Sequence, residues 1–231
     1  MTSSLIKLPA YTLLAVIVMV FANKETVLAA PPNEPSTWGK LTATENLIRL
    51  EILRLDGDWE SGSKPKLVGF LGQRFKSPHF EMLTHLPSTE WFSAQYCTEV
   101  DNFAIKCISS IISLKRLDFV GCEINTTCMS LLQSNRELRQ LLIEDSQLSD
   151  SAFDGITQLS QVEILWLDDA DLSEVSDISL EHMSRMSSLK ECSLSGCTGM
   201  TAERFEKLKT ALPNVKWSGL GRIQRELEGR K

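Results

Sequence analysis

The feature that most constrains the fold of this chain is a sequence pattern that recurs every 24 to 27 residues. Four copies follow L-x-x-L-x-L-x-x-[CSA]-x-L, beginning at Leu114, Leu138, Val162 and Leu189, with Cys192 in place of one leucine. Each L-x-L core predicts a short strand with alternate side chains buried, and the second half of each copy has apolar residues at helical spacing. Because no such unit can cover its own apolar edges, the units must stack on one another.

Weaker copies of the pattern extend the array in both directions. Upstream, Phe92 and Ala94 occupy the inward strand positions of one unit, and Val68 and Phe70 occupy those of the unit before it. Downstream, a further strand begins near Trp217. We therefore predict about six stacked units over residues 64–217, in an α/β solenoid with a curved parallel sheet on the concave face and helices on the convex face.

The pattern resembles a known family. Its period, with cysteine at a position usually held by asparagine or cysteine, resembles cysteine-containing leucine-rich repeats. A leading helix, a charged glycine-containing turn and repeats opening on LP-x-x-x-W or L-x-x-L resemble the exported leucine-rich-repeat proteins abundant in planctomycete bacteria. The resemblance covers about residues 41–217 and implies a binding scaffold, although this fold serves many unrelated partners.

The segments that flank the array are expected to close its ends. Residues 41–63 predict an N-terminal capping helix and a turn, with Thr42 or Thr44 as the helix cap and with Leu47, Leu50 and Leu53 or Arg54 on one face. Residues 218–231 predict a polar C-terminal tail or short helix.

The first forty residues predict export. Residues 1–29 combine Lys7, an apolar run over 8–22 and a small-residue ending at Ala29, which is typical of a secretory signal peptide. The run is short for a membrane-spanning helix, which needs roughly 20 apolar residues, so a membrane anchor is the less favoured alternative. Residues 30–40 predict a proline-rich linker. We therefore expect a secreted or periplasmic protein.

The charge balance limits the class of partner. A formal net charge of -6 does not favour nucleic acid or an anionic membrane surface as a ligand, since both are bound by basic faces. We expect a protein partner, no membrane association beyond the signal segment, and a monomer.

The candidate binding residues are the strand positions that alternate with the buried leucines. They place three large apolar side chains, Leu142, Ile164 and Trp166, where water should be met, and a cluster of this kind often marks a contact site. The full predicted surface consists of Arg116, Val120, Gln140, Leu142, Glu144, Ile164, Trp166 and Asp168.

The cysteines leave two alternatives. Cys97 and Cys122 hold the same place in adjacent units, and neighbouring strands lie about 4.8 Å apart, which is within reach of a disulfide. The same place holds Ser146 and Ala170 in later units, which indicates a requirement for small size and favours buried free thiols. The cysteines are dispersed and the histidines lack metal-ligand spacing, so no metal site and no cofactor are predicted.

The sequence contains no nucleophile-elbow, phosphate-binding-loop or zinc-protease pattern, so we predict that the protein is not an enzyme. The favoured function is a non-catalytic, exported protein-interaction scaffold that binds on the concave face. The alternative is an intracellular adaptor that resembles the substrate-recognition leucine-rich-repeat subunits of ubiquitin ligases.

Overall fold

A computed structural model describes residues 42–59, 66–97, 100–124 and 126–229. The predicted signal segment 1–29 and linker 30–40 lie outside the described residues, as do residues 60–63 of the predicted turn. Within the described part of the chain, no helix is both long enough and apolar enough to cross a membrane.

Short strands recur at the predicted period. In chain order they are β1 (Asp58–Trp59), β2 (Leu67–Leu71), β3 (Trp91–Gln95), β4 (Arg116–Val120), β5 (Glu123–Ile124), β6 (Gln140–Glu144), β7 (Gln147–Leu148), β8 (Ile164–Trp166), β9 (Glu191–Ser193) and β10 (Lys216–Ser218). The main sheet has the order β1-β2-β3-β4-β6-β8-β9-β10, and its strands from β2 onward are parallel, while β1 is antiparallel to β2. A second, two-stranded sheet joins β5 to β7. This architecture is that of the predicted α/β leucine-rich-repeat solenoid.

The segments that connect the strands are short helices of two kinds. The α-helices are α1 (Ala43–Arg54), α2 (Asn102–Ile108), α3 (Asp150–Thr157), α4 (Asp177–Glu181), α5 (Ala202–Ala211) and α6 (Gly221–Glu228). The 3₁₀ helices span Ser77–His85, Met129–Ser134 and His182–Arg185. A 24-residue unit leaves little chain for its return path, and the 3₁₀ form covers more length per residue than the α form.

The helix α1 closes the N-terminal end of the array. Of the two predicted cap residues, Thr42 is the one that caps it, since its hydroxyl accepts a hydrogen bond from the Glu45 backbone while the Glu45 carboxylate accepts one from the Thr42 backbone. The predicted inward face was wrong. Ile48 and Ile52 are buried, together with the C-cap residue Leu55, whereas Leu50 and Leu53 are exposed. The residues at 48, 52 and 55 lie on one helical stripe, and this stripe faces the first unit.

A single apolar core runs between the sheet and the helices. Its N-terminal end is aromatic: the Phe70 ring stacks on Phe75 at 4.2 Å between centroids and meets Phe80 and Phe92 edge to face at 5.2 and 5.1 Å. The later units use mainly leucine, isoleucine and methionine, with single rings at Phe119, Phe153 and Phe205. The large rings therefore fill the space where α1 and the first units meet.

A left-handed turn follows each parallel strand. Its first and last positions are Gly72 and Gly219, with φ of 81° and 73°. The whole series is Gly72, Tyr96, Gly121, Asp145, Asp169, Gly196 and Gly219. This conformation suits glycine and is tolerated by aspartate, so the series explains two residue types that the repeat pattern did not include.

The helix α6 covers the C-terminal unit. It lies in the region where we expected a polar tail or short helix, and its Ile223 is buried with 2% exposure. The preceding unit offers an aromatic pair to this end, because Phe205 meets Trp217 edge to face at 5.4 Å. The C-terminal end of the array thus has its own cover, as a solenoid requires.

Candidate binding surface

The helix-free face of the main sheet, called the open face below, carries the predicted binding residues. Strand register sorts these positions into three rows across β4, β6 and β8. Row one contains Arg116, Gln140 and Ile164; row two contains Asp118, Leu142 and Trp166; row three contains Val120 and Glu144, followed in the chain after β8 by Asp168. The eight predicted residues are therefore neighbours on one surface.

Leu142 corrects the expectation that the whole apolar cluster meets water. It has 3% exposure, whereas Ile164 and Trp166 remain partly exposed. Leu142 is the centre of the three rows, with Asp118 and Trp166 beside it on the neighbouring strands. Trp166 on one side, and Asp118 with its bound Arg116 on the other, flank Leu142 on the open face, and cross-strand neighbours of this kind remove it from solvent.

A compact cluster of hydrogen bonds lies beside Leu142 and was not predicted as a unit. The buried carboxylate of Asp118 accepts a hydrogen bond from Trp91 Nε1 at 2.8 Å, and bonds from Arg116 Nε at 2.8 Å and Nη2 at 3.0 Å. The Arg116 guanidinium also lies 4.2 Å from the centroid of the Trp91 ring. The only sequence signals for this cluster are an aspartate two residues after an arginine and a tryptophan one unit upstream. The cluster fixes Arg116 rather than leaving its charge free.

Asp168 is fixed in a different way. Its Oδ1 accepts a hydrogen bond from Ser193 Oγ at 2.5 Å and one from the Ser195 backbone at 3.0 Å. Both serines belong to the next unit, so this carboxylate joins two units while its side chain stays partly exposed. Its charge is therefore held in a defined position two residues after the end of β8. Binding sites in general require charges that are fixed in this way.

Carboxylates gather where the central strands end. We define the carboxyl rim as Glu144, Asp145, Asp168 and Asp169. Among the described residues, none of the four forms an ion pair. Burial raises the pKa of Glu144, and the negative charges of Asp168 and Asp118 raise it further. Arg116 opposes this shift, but its guanidinium is bound to Asp118.

At the opposite edge of the sheet, charges of both signs form ion pairs between neighbouring units. We define the amino rim as the residues that directly precede the strands, namely Lys66, Glu90, Lys115, Arg139, Glu163 and Lys190. Glu90 bridges Lys66 at 3.8 Å and Lys115 at 2.9 Å. Glu163 bridges Arg139 at 3.5 Å and Lys190 at 2.6 Å. Each charge on this rim therefore has a partner in an adjacent unit.

The cysteines are free thiols in the structure. Cys97 donates to the carbonyl of Phe70 at 3.6 Å, and Cys122 donates to the carbonyl of Ala94 at 3.4 Å, in each case across to the preceding unit. The neighbouring Cys122 thiol and burial together raise the pKa of Cys97 far above its usual range. These thiols act as small buried hydrogen-bond donors, which is the second of the two alternatives considered for them.

Two acidic residues that follow β8, Asp171 and Asp177, each bind partners elsewhere in the chain. Asp171 accepts hydrogen bonds from Thr198 and from the Ser173 backbone, and Asp177 pairs with Arg204 at 2.7 Å. Within the described residues, no group of three histidine, cysteine or acidic side chains is placed to hold a metal ion. The open face has charges, ring surfaces and fixed hydrogen bonds, which are features that can serve recognition.

No protein-family model matches the chain, and no curated protein matches it by sequence. A solved leucine-rich-repeat protein of Leptospira interrogans is similar over 60% of this chain and 33% of that one, at 14% identity and a TM-score of 0.45. An internalin from Listeria monocytogenes is similar over 74% of this chain and 53% of that one, at 15% identity and a TM-score of 0.40. The chain thus spans a third to about half of these proteins.

Proposed function

We propose that this protein is a non-catalytic interaction scaffold that binds a protein partner on the open face of its sheet, centred on Ile164 and Trp166. The observation that carries the proposal is the partial exposure of these two large apolar side chains next to each other on one strand face. They are surrounded by polar and charged positions, and tryptophan in such a setting is favoured at the centre of protein interfaces.

The surroundings of this pair support a preformed site. Trp166 lies next to buried Leu142 and next to Ser193, whose hydroxyl is bound to Asp168. Side chains that are already fixed lose little entropy when a partner binds. A rigid strand also places them more accurately than a loop does. A polar rim around an apolar centre is the general form of a protein interface.

The test compares two variants that each place a charge at an exposed apolar position. Trp166→Asp changes the open face, whereas Ile112→Asp changes a residue with 69% exposure outside the strands. Crosslinking mass spectrometry on the native protein identifies the partner, and its affinity for the wild type and both variants is then measured with purified proteins. We expect a loss of at least tenfold, about 1.4 kcal/mol, for Trp166→Asp and no change for Ile112→Asp. Equal affinities for the wild type and Trp166→Asp contradict the proposed face.

We also propose that the protein is exported, as residues 1–29 and the resemblance to exported leucine-rich-repeat proteins suggest. Mass spectrometry of the mature protein from its native source tests this directly. We expect a mature N-terminus at Ala30, after cleavage that follows Ala29. An intact Met1 on a protein recovered from the cytosol contradicts export and favours the intracellular adaptor instead.

A further inference from the structure

The two edges of the open face differ in how their charges are satisfied. The amino rim has four cations and two carboxylates, and each carboxylate bridges the two cations that flank it. The carboxyl rim has four carboxylates and no cation among its members, and no ion pair reaches it from the rest of the described chain. Among the described residues, the same sheet therefore ends in a ladder of ion pairs on one side and in carboxylates without cationic partners on the other.

The geometry of the carboxyl rim keeps this charge at the surface. Glu144 and Asp168 lie at neighbouring places in row three, and Asp145 and Asp169 follow them in the left-handed turns with φ of 47° and 55°. Both turn residues are exposed. The backbone of Asp145 donates to the carbonyl of Asp168 at 3.0 Å, so the two pairs are bound to each other by the main chain. Four carboxylates are thus held together on adjacent units.

The apolar pair lies directly beside this charge. Trp166 lies on β8 in row two, next to the row that contains Glu144 and Asp168. Ile164 lies on the same strand in row one, one row farther from the carboxyl rim. A ligand that covers the pair must also lie against the carboxyl rim. A ligand with carboxylates there would meet repulsion, and a neutral one would leave four charges without a partner as water is removed.

Two other ligand classes fit less well. A metal ion is not favoured, because no group of three ligating side chains among the described residues is placed to hold one. A second copy of this chain is not favoured either, since each copy has a net charge of -6. A basic protein segment satisfies both the apolar pair and the rim.

We propose that the partner docks through a segment in which lysine or arginine side chains flank an apolar residue, the apolar residue on Ile164 and Trp166 and the cations on the carboxyl rim. This inference rests on the proposed function, because it names the chemistry of the ligand at the same face. The charge also directs the ligand: attraction toward the rim raises the rate of encounter and decreases as salt is added.

The experiment uses a phage-displayed library of random twelve-residue peptides as the probe. The purified wild-type protein selects binders, and Trp166→Asp removes those that bind elsewhere. We expect the selected peptides to be enriched in lysine and arginine next to leucine, phenylalanine or tryptophan. Synthetic copies are then titrated by fluorescence anisotropy against the wild type and against a triple variant, Glu144→Gln with Asp145→Asn and Asp169→Asn. Asparagine accepts the left-handed turn conformation, so the triple variant should keep its fold. Asp168 is left unchanged because it binds Ser193 and Ser195.

A second triple variant, Glu174→Gln with Glu181→Gln and Glu206→Gln, makes the same change in net charge at exposed positions away from the strands. We expect the peptides to bind the rim variant about tenfold more weakly, as for a few exposed charge pairs, and the control variant unchanged. Peptides that lack basic residues, or that bind the rim variant with wild-type affinity, overturn the inference about the segment. If removal of the peptides that bind Trp166→Asp leaves no wild-type binders, the binding face itself is overturned, and so the two failures are distinguishable.

Discussion

Gly72 and Gly219 occupy the same left-handed turn at opposite ends of the array. Their φ angles are similar, but their surroundings differ. A methyl group on Gly72 would meet nothing within 4 Å, whereas one on Gly219 would overlap the backbone nitrogen of Ser195 and lie 2.6 Å from its Cα. The first turn has no unit in front of it, and the last turn lies directly on the one before.

This contrast predicts different costs for the same substitution. Gly72→Ala should lower the free energy of unfolding by about 1 kcal/mol, which is the conformational penalty alone. Gly219→Ala should lower it by about 3 kcal/mol, because a backbone contact cannot be relieved by a side-chain rotation. Urea unfolding of both variants measures the difference. Equal losses of unfolding free energy for the two variants would mean that a methyl group at position 219 does not press on the preceding turn.

Leu142 gives a second prediction at the residue scale. Leu142→Ala should cost about 2 to 4 kcal/mol of stability, since it empties a position with 3% exposure. Ile164→Ala, in the next row and partly exposed, should cost about 1 kcal/mol or less. Thermal unfolding of the two variants compares them. A small loss for Leu142→Ala would show that its position is open to solvent, as the sequence pattern alone had indicated.

The alternation of the strand residues correctly assigned the face on which each side chain lies. It did not assign exposure, because exposure depends on the size of neighbours on other strands. For the same reason the pattern could not join Trp91 to Asp118, which are 27 residues apart in the chain and 2.8 Å apart in space.

At the scale of the element, the strands were predicted more completely than the helices. A strand in this array is defined by two or three buried alternate residues, and the period repeats them. The helices are as short as four residues, and helical spacing in so short a helix does not separate α from 3₁₀ geometry. In α1 the spacing was compatible with two faces, and contact with the first unit selected the one with Ile48 and Ile52.

The six cysteines differ in how well a reagent can reach their thiols. Cys97, Cys122 and Cys192 are buried, burial raises the pKa of Cys107 to about 11 and that of Cys197 to about 12, and Cys128 is partly exposed. Because a buried thiol is out of reach of a reagent, we expect a thiol reagent to modify Cys128 alone in the folded protein, and Cys128→Ser to abolish that reaction.

The same reagent answers whether the first two thiols are bonded to each other. In strong guanidinium without a reductant, we expect all six cysteines to react. Four reactive thiols instead of six would show a disulfide and would favour the alternative that the sequence left open.

At the scale of the whole molecule, the unbalanced carboxyl rim has a consequence for stability. The pKa of Glu144 is raised in the folded protein by burial and by Asp168 and Asp118, so the folded state holds this proton more tightly than the unfolded chain does. The stability that the protonated Glu144 contributes is therefore lost as the pH rises from its ordinary pKa of 4.5 through its raised pKa in the folded protein. Glu144→Gln should be more stable than the wild type at pH 7.

That gain should disappear as the pH falls below about 4, where the carboxyl group is protonated in both states. Unfolding curves at several pH values measure it, with Glu206→Gln, an exposed carboxylate on α5, as the matched control. A gain that does not change with pH would point to a cause other than charge.

The charges of the amino rim also affect which units can become neighbours when the chain folds. A chain of similar units can misfold by leaving one unit out and joining the two on either side. In the sequence of rim charges, omission of the unit with Glu90 would bring Lys66 against Lys115, and omission of the unit with Glu163 would bring Arg139 against Lys190. The like charges would repel in both cases, whereas each glutamate attracts its neighbours in the native order. At these two places the bridging glutamates therefore favour the native order of the units over one that omits a unit.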